Sequence, residues 1–177
     1  MTLDRIMDKI YFTETLTDFD KMFLAATSRG LVKISFGEES RHRFFGWLEE
    51  HFADYIYEKN DSKMEKYVRA IKRYLAGKTR ELKFPVELVV TGFQKKVLLA
   101  LREVPYGTVV TYGELAGMAG NPRASRAAGT ACKRNPLPFV IPCHRVIAAG
   151  NRLGGYGGGE RLKKQLLANE GVTGLKE

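Results

Sequence analysis

The sequence predicts an α+β fold. A small N-terminal α/β domain, residues 1–90, precedes a mainly helical C-terminal domain, residues 91–177, with a helix-turn-helix and a candidate nucleophilic cysteine. Three observations predict this. Short, partly alternating apolar segments cluster near the start of the chain, as half-buried strands do. From Thr91 onward the pattern changes to helix-length amphipathic runs separated by Pro/Gly turns. Charge divides at the same place: residues 1–91 hold 16 Lys+Arg and 15 Asp+Glu, whereas residues 92–177 hold 13 and 5. A positive excess confined to one half suggests a polyanion partner for that half.

Segments Ile10–Thr13, Met22–Thr27 and Leu31–Phe36 read as strands, with Ser28-Arg29-Gly30 a hairpin turn between the last two. Two amphipathic helices follow. In the second, Met64, Tyr67, Val68, Ile71 and Leu75 share one face, and Gly77 supplies a C-terminal stop. Glu81–Val90 reads as extended, with Pro85 favouring an edge or a linker. Structural explanations suffice for every feature of this half.

Thr91 and Gln94 form a capping-box pattern, opening a helix that turns Phe93, Val97, Leu98, Leu101 and Val104 inward. Pro105-Tyr106-Gly107 ends it. Thr111 and Glu114 repeat the pattern and open a short helix to about Ala119. Gly120-Asn121 makes a turn. Asn121 as a cap and Pro122 as first residue predict a second helix to about Lys133. Helix, tight turn, helix is the outline of a helix-turn-helix. In the second helix Ala124, Ser125, Ala127, Ala128, Gly129 and Ala131 leave a nearly bare surface that can bring its backbone close to a partner. Arg123, Arg126, Lys133 and Arg134 add positive charge. A helix packed tightly inside the protein would carry the same small residues, so both readings stand on the residues alone.

Cys132 reads as a buried small hydrophobe, the commonest state of a free cysteine. Cys143 differs, because it follows Pro142 and is flanked by His144 and Arg145. An imidazole and a cation nearby both favour thiolate, the nucleophilic form. In an extended segment neighbours point to opposite faces, so adjacency alone makes no dyad, and a structural His144 fits as well. The stretch Gly154-Gly155-Tyr156-Gly157-Gly158-Gly159 offers a main chain that a ligand can approach closely. A helix over Glu160–Asn169 follows, with Gly171 as its stop. Glu170 falls in its last turn, where a carboxylate opposes the helix dipole, which points to another reason for it.

Pro142-Cys143-His144-Arg145-Val146, with Asn135-Pro136 upstream and Gly155-Tyr156-Gly157-Gly158 downstream, resembles O6-alkylguanine-DNA alkyltransferase. The match runs from about Phe93 to Gly171. It takes in Val104-Pro105-Tyr106-Gly107, Thr111-Tyr112, Asn121-Pro122, Ser125-Arg126-Ala127 and Asn169-Glu170-Gly171 in order. The first half resembles the family's variable N-terminal domain only in length and coarse pattern. The resemblance implies DNA repair in which Cys143 takes the alkyl group from O6 of guanine, once and irreversibly, after nucleotide flipping. O4 of thymine is left open as a second target. His144 would activate the thiol through a bound water, with Glu170 completing the relay and Asn135 bracing the turn. Tyr112 would donate a hydrogen bond to guanine N3. Arg126 would enter the base stack, with Ser125, Ala127 and Gly129 along the minor groove of double-stranded DNA. Tyr156 would line the base pocket. Main-chain groups of Cys143, Val146 and Gly157 would read the guanine edge. Many relatives carry serine where this chain has Gly157, so a main-chain contact survives there and a hydroxyl contact does not.

Composition bounds the alternatives. The start, MTLDRIMDKIYF, lacks the basic stretch and apolar core of a signal peptide, and no apolar run reaches the roughly 18 residues of a membrane span. The expectation is a cytoplasmic monomer that does not meet the membrane. No cofactor is expected. With no Cys and only His42 and His51 in the first half, neither is a Cys/His zinc site. Two rivals remain. A lesion-binding module without chemistry would lack Cys143. A cysteine hydrolase would need an orienting third residue and an oxyanion hole, neither identifiable here.

Overall fold

The computed structural model describes residues 8–37 and 40–176. In chain order the elements are β1 (Lys9–Leu16), β2 (Lys21–Thr27), β3 (Gly30–Phe36), α1 (Ser40–His51), β4 (Ile56–Lys59), α2 (Asp61–Leu75), α3 (Gly92–Arg102), β5 (Val110–Thr111), α4 (Tyr112–Met118), α5 (Ser125–Lys133), β6 (Val146–Ile147) and α6 (Glu160–Asn169). They form two compact units. One holds the described residues through Ala70 together with Lys83–Val89. The other holds Ile71–Leu82 and the described residues from Val90. The architecture is the predicted α+β, a small mixed-sheet unit followed by a mainly helical one. No helix among the described residues is long and apolar enough to cross a membrane.

The first unit is a four-stranded sheet in the order β3-β2-β1-β4. The three predicted strands pair antiparallel, and β4 adds parallel to β1, Lys9 opposite Ile56. β4 escaped the sequence reading because Ile-Tyr-Glu-Lys is too short and too polar to show a period. Apolar residues of one sheet face, among them Ile10, Phe23, Ala25 and Val32, pack with Phe44, Leu48 and Phe52 into one buried cluster. The turn before β3 needs glycine for a steric reason. Gly30 has φ +145°, and an added Cβ would lie 2.5 Å from the Pro85 carbonyl. That close approach lets the segment around Pro85 run along β3, with Leu31 N donating to Pro85 O and Glu87 N donating to Leu31 O.

Helix α2 begins where the Asn60 side chain accepts from Lys63 N at 3.0 Å, a capping bond. It ends at Gly77, whose φ of +67° is the left-handed stop the sequence predicts. Met64, Tyr67, Ile71, Tyr74 and Leu75 are buried, while Val68 is half-buried.

In the second unit, α3 buries Val97, Leu98 and Leu101 as expected, and Phe93 is half-buried. The capping box expected at its start is not formed. Thr91 makes no side-chain cap bond, and Gln94 Nε2 donates to Arg134 O instead. Gly92, the first residue of α3, takes φ +57° in place of a helical value, so the link from Thr91 into the first turn lacks the backbone geometry of a capping box. The second box is complete: Thr111 Oγ1 accepts from Glu114 N, and Glu114 Oε2 accepts from Thr111 N. Helix α5 starts at Ser125, three residues later than expected. Pro122 sits inside a β-turn closed by Ala124 N donating to Asn121 O, rather than at the head of the helix. Helix α4, this turn and α5 form the helix-turn-helix.

The two threonines give a paired test. Thr111→Ala should cost about 1 kcal/mol in urea unfolding, whereas Thr91→Ala should stay within about 0.5 kcal/mol.

Candidate active site

The segment leading to Cys143 is held by one side chain. Asn135 accepts from Leu137 N at 3.0 Å and donates through Nδ2 to Ile141 O at 2.8 Å. The same amide group lies 3.2 Å from Cys143 Sγ. A buried asparagine that satisfies both of its ends in this way fixes the loop and offers a donor to the sulfur. Cys143–Arg145 is then a single 3₁₀ turn, with Arg145 N donating to Pro142 O, not the extended run the sequence suggested. With about three residues per turn its side chains splay in three directions, so adjacent Cys, His and Arg can serve different partners.

His144 and Arg145 both turn to Glu170. His144 Nε2 donates to Oε1 at 2.7 Å, and Arg145 donates through Nε to Oε2 at 2.9 Å and through Nη2 to Oε1 at 3.1 Å. The Tyr74 hydroxyl donates to Oε1 at 2.9 Å, and Gly107 N to Oε2 at 2.9 Å. Burial alone would raise the Glu170 carboxyl, but the His144 and Arg145 hydrogen bonds outweigh it and hold the group at about 2. A carboxylate only accepts, so the His144 proton sits on Nε2 and Nδ1 carries the free lone pair. Nδ1 is buried and has no hydrogen-bond partner among the described residues. Burial lowers the His144 pKa, so the ring is neutral at rest.

The thiol behaves differently from the sequence expectation. Burial pushes the Cys143 pKa up, against the Asn135 hydrogen bond, the charge of Lys163 and a hydrogen bond from Tyr156. Arg145 does not supply the expected thiolate-favouring charge, because its guanidinium is committed to Glu170 and, through Nη1, to Val104 O at 2.6 Å. The resting group is a neutral thiol poised beside two donors.

A cavity of about 350 Å³ opens beside it, lined by Cys143, Tyr112, Tyr156, Gly155, Gly157 and, from α5, Gly129, Cys132 and Lys133. Cys132 is therefore half-buried on the cavity wall rather than a core residue. Burial raises its thiol to about 12. Tyr112 is half-buried, and its phenol is raised by burial first and by the two cysteines second. Ser125, Arg126 and Ala127 are exposed on the first turn of α5 and do not line this cavity. Val146 is buried, its N–H donating to Cys143 O and its carbonyl accepting from Lys163 Nζ at 2.7 Å.

Three contributors were not read from the sequence. Lys163 is fully buried and also donates to Leu153 O at 2.6 Å, tying the strand after Cys143 to the glycine-rich loop. Its signal was position, one turn before the buried Leu166 and Leu167. Tyr74 continues the apolar face of α2, one turn after Ile71. Gly107 looked like a helix stop only. Its φ of +78° also aims its amide at Glu170, and a Cβ there would meet Glu170 O at 2.9 Å. Among the described residues no group of three or more His, Cys, Asp or Glu is arranged to hold a metal ion.

Glu170→Gln should cost about 3–5 kcal/mol at pH 7, because it leaves Arg145 buried without its counter-charge. Folding depresses this carboxyl from the ordinary 4.5 to about 2. Its contribution is therefore complete above about pH 4.5 and is lost as pH falls toward 2. Urea unfolding at a series of pH values should show the wild-type advantage over the variant shrinking through that window.

Comparison with known proteins shows the family. Residues 92–172 match the DNA-binding domain of 6-O-methylguanine DNA methyltransferase, and residues 10–88 match its ribonuclease-like domain. The inducible methylated-DNA–protein-cysteine methyltransferase of Bacillus subtilis is 37% identical over 145 residues, 82% of this chain and 81% of the relative. That of Methanosarcina acetivorans is 37% identical over 166 residues, covering 92% and 99%. The structure of Mycobacterium tuberculosis OGT in complex with DNA superposes with a TM-score of 0.75 at 31% identity, covering 90% of this chain and 92% of that one. The O6-methylguanine-DNA methyltransferase of the hyperthermophilic archaeon Pyrococcus kodakaraensis gives 0.61 at 30%, covering 92% and 99%. With both of its domains matched and full-length relatives above 30% identity, the chain belongs to the 6-O-methylguanine DNA methyltransferase family.

Proposed function

We propose that Cys143 is the acceptor in a one-turnover repair reaction on flipped-out O6-alkylguanine. The family's reaction moves a methyl group from guanine in DNA to a protein cysteine, and this chain performs it on damaged DNA. The observation that carries the assignment of Cys143 is one cavity lined both by its sulfur and by α5, the second helix of the helix-turn-helix. Residues 91–177 then hold the DNA-binding and transfer machinery, and residues 1–90 a structural domain of the same monomer.

The O6 atom lies within the duplex, so the nucleotide is extruded before the thiol can reach it. Arg126, exposed at the start of α5, enters the stack in its place, while Ser125, Ala127 and Gly129 let the helix approach the minor groove. The base edge is read by main-chain groups of Cys143, Val146 and Gly157. The Val146 carbonyl keeps a second lone pair beside its bond to Lys163. Neutral His144 takes the thiol proton on Nδ1 through a water, and Glu170 stabilises the imidazolium that forms. The sulfur bonds to the alkyl carbon as the carbon–O6 bond breaks, and the bonding electrons pass to the purine. Tyr112, kept protonated by burial, donates to N3 of the leaving base. The product thioether has no good leaving group, and thiol exchange cleaves disulfides rather than C–S bonds.

Both thiols line the cavity, yet among the described residues only Cys143 has side-chain donors at its sulfur. Incubation with duplex DNA containing O6-methylguanine, followed by intact and peptide mass spectrometry, should show one added methyl on Cys143 and none on Cys132. Product should plateau near one methyl per protein, whereas multiple turnover would overturn the single-use mechanism. Arg126→Ala should slow repair of duplex DNA more than reaction with free O6-benzylguanine, which needs no flipping. Equal losses on the two substrates would remove Arg126 from the flipping role.

A further inference from the structure

The near-neutral balance of the first half conceals a concentrated charge. Residues 63–80 hold seven Lys or Arg and one acidic residue, Glu65, while the rest of residues 1–91 hold nine basic and 14 acidic. The concentration falls on α2 and the turn after it. At about 100° per residue, Lys66, Arg69 and Arg73 lie within about 60° of one another, opposite the buried face of Met64, Tyr67 and Ile71. All three are exposed, and none makes an ion pair among the described residues. Glu65, one turn before Arg69, is not within ion-pair distance of it. Like charges one turn apart on a helix repel, and no ion pair within the described residues of this element offsets them. At the N-terminal end of the row, Lys63 and Lys66 line a cavity of about 290 Å³ with Arg29 and Tyr11. Lys63 Nζ lies 3.7 Å from the Tyr11 ring centroid.

We propose that this face of α2 is a second contact surface for duplex DNA, binding phosphates through Lys66, Arg69 and Arg73, apart from the helix-turn-helix that takes the lesion. The three cations rise along the helix by about 4.5 and 6 Å, and a duplex strand presents a phosphate about every 3.4 Å of its axis. A row of charges with no base-reading side chain among them suits sequence-independent backbone contact. The proposal rests on the DNA-repair reading above and gives the first half of the chain a share in holding the substrate.

The test compares the full-length protein with Lys66→Gln/Arg69→Gln/Arg73→Gln. A control of equal charge change on the sheet is Lys9→Gln/Lys21→Gln/Lys59→Gln. Binding to an undamaged 30-base-pair duplex is followed by fluorescence anisotropy across a salt series. Each lost phosphate contact lowers the magnitude of the slope of log K against log salt by about 0.9. The α2 variant should lose about 2–3 from the slope and bind about tenfold or more weakly at low salt, while the control should lose less than about 1. A slope unchanged in the α2 variant, or lowered equally in the control, overturns the proposal. So does an unchanged slope accompanied by α2-dependent binding to anionic lipid vesicles, which would make a membrane the partner. Reaction of each protein with free O6-benzylguanine is measured in parallel. It should be the same for all three, and its loss in the wild type would refute the repair reading instead.

Discussion

One buried carboxylate gathers donors from well-separated parts of the second unit. Glu170 receives Tyr74 from the last turn of α2, Gly107 from the turn after α3, and His144 and Arg145 from the turn that carries Cys143. A charge with side-chain exposure of 2% is tolerable only when its lone pairs are filled, so each donor must be in place for the others to be stable. This fixes the Cys143–Arg145 turn in space without any contact from Glu170 to the sulfur itself. It also explains why a carboxylate stands at the wrong end of α6 for the helix dipole. The paired Arg145 and the hydrogen-bonded His144 more than offset that modest cost.

The same arrangement sets the chemistry. Arg145 spends its charge on Glu170 and Val104 O, leaving the thiol in a site that burial makes unfavourable for an anion. At rest the Cys143 thiol is therefore held back from adventitious reaction, since the thiolate is the reactive form. His144 is the matching half of that design, a neutral ring with one nitrogen committed to Glu170 and the other unpartnered. Asn135 and Tyr156 supply the donors that an emerging sulfur anion needs, which Cys132 lacks although it lines the same cavity.

Much of this was legible in the chain. Periodicity located the three antiparallel strands and α2, and turn chemistry located Gly30, Gly77 and the Thr111 capping box, because those signals are local. Where local signals competed, they misled. Gly92 defeated the Thr91–Gln94 box by its backbone angle, and Pro122 entered a β-turn rather than starting a helix. The segment around Cys143 stood out in the sequence as a cluster of residue types, but its backbone form did not, since Pro142-Cys143-His144-Arg145 carries no periodic pattern.

By itself the sequence determined which residue types stand next to Cys143, where most of the helices and the three antiparallel strands run, and which half carries the net charge. These depend on neighbours within a few positions or on simple counting. Only the tertiary structure decided that Arg145 neutralises Glu170 instead of activating the thiol, that Lys163 is buried as a clamp, and that Cys132 faces the cavity. Each outcome is set by which groups burial brings together across tens of residues, from Tyr74 to Glu170 at the longest reach. In a low-dielectric interior those encounters, not sequence adjacency, decide which charges are spent and which proton can move.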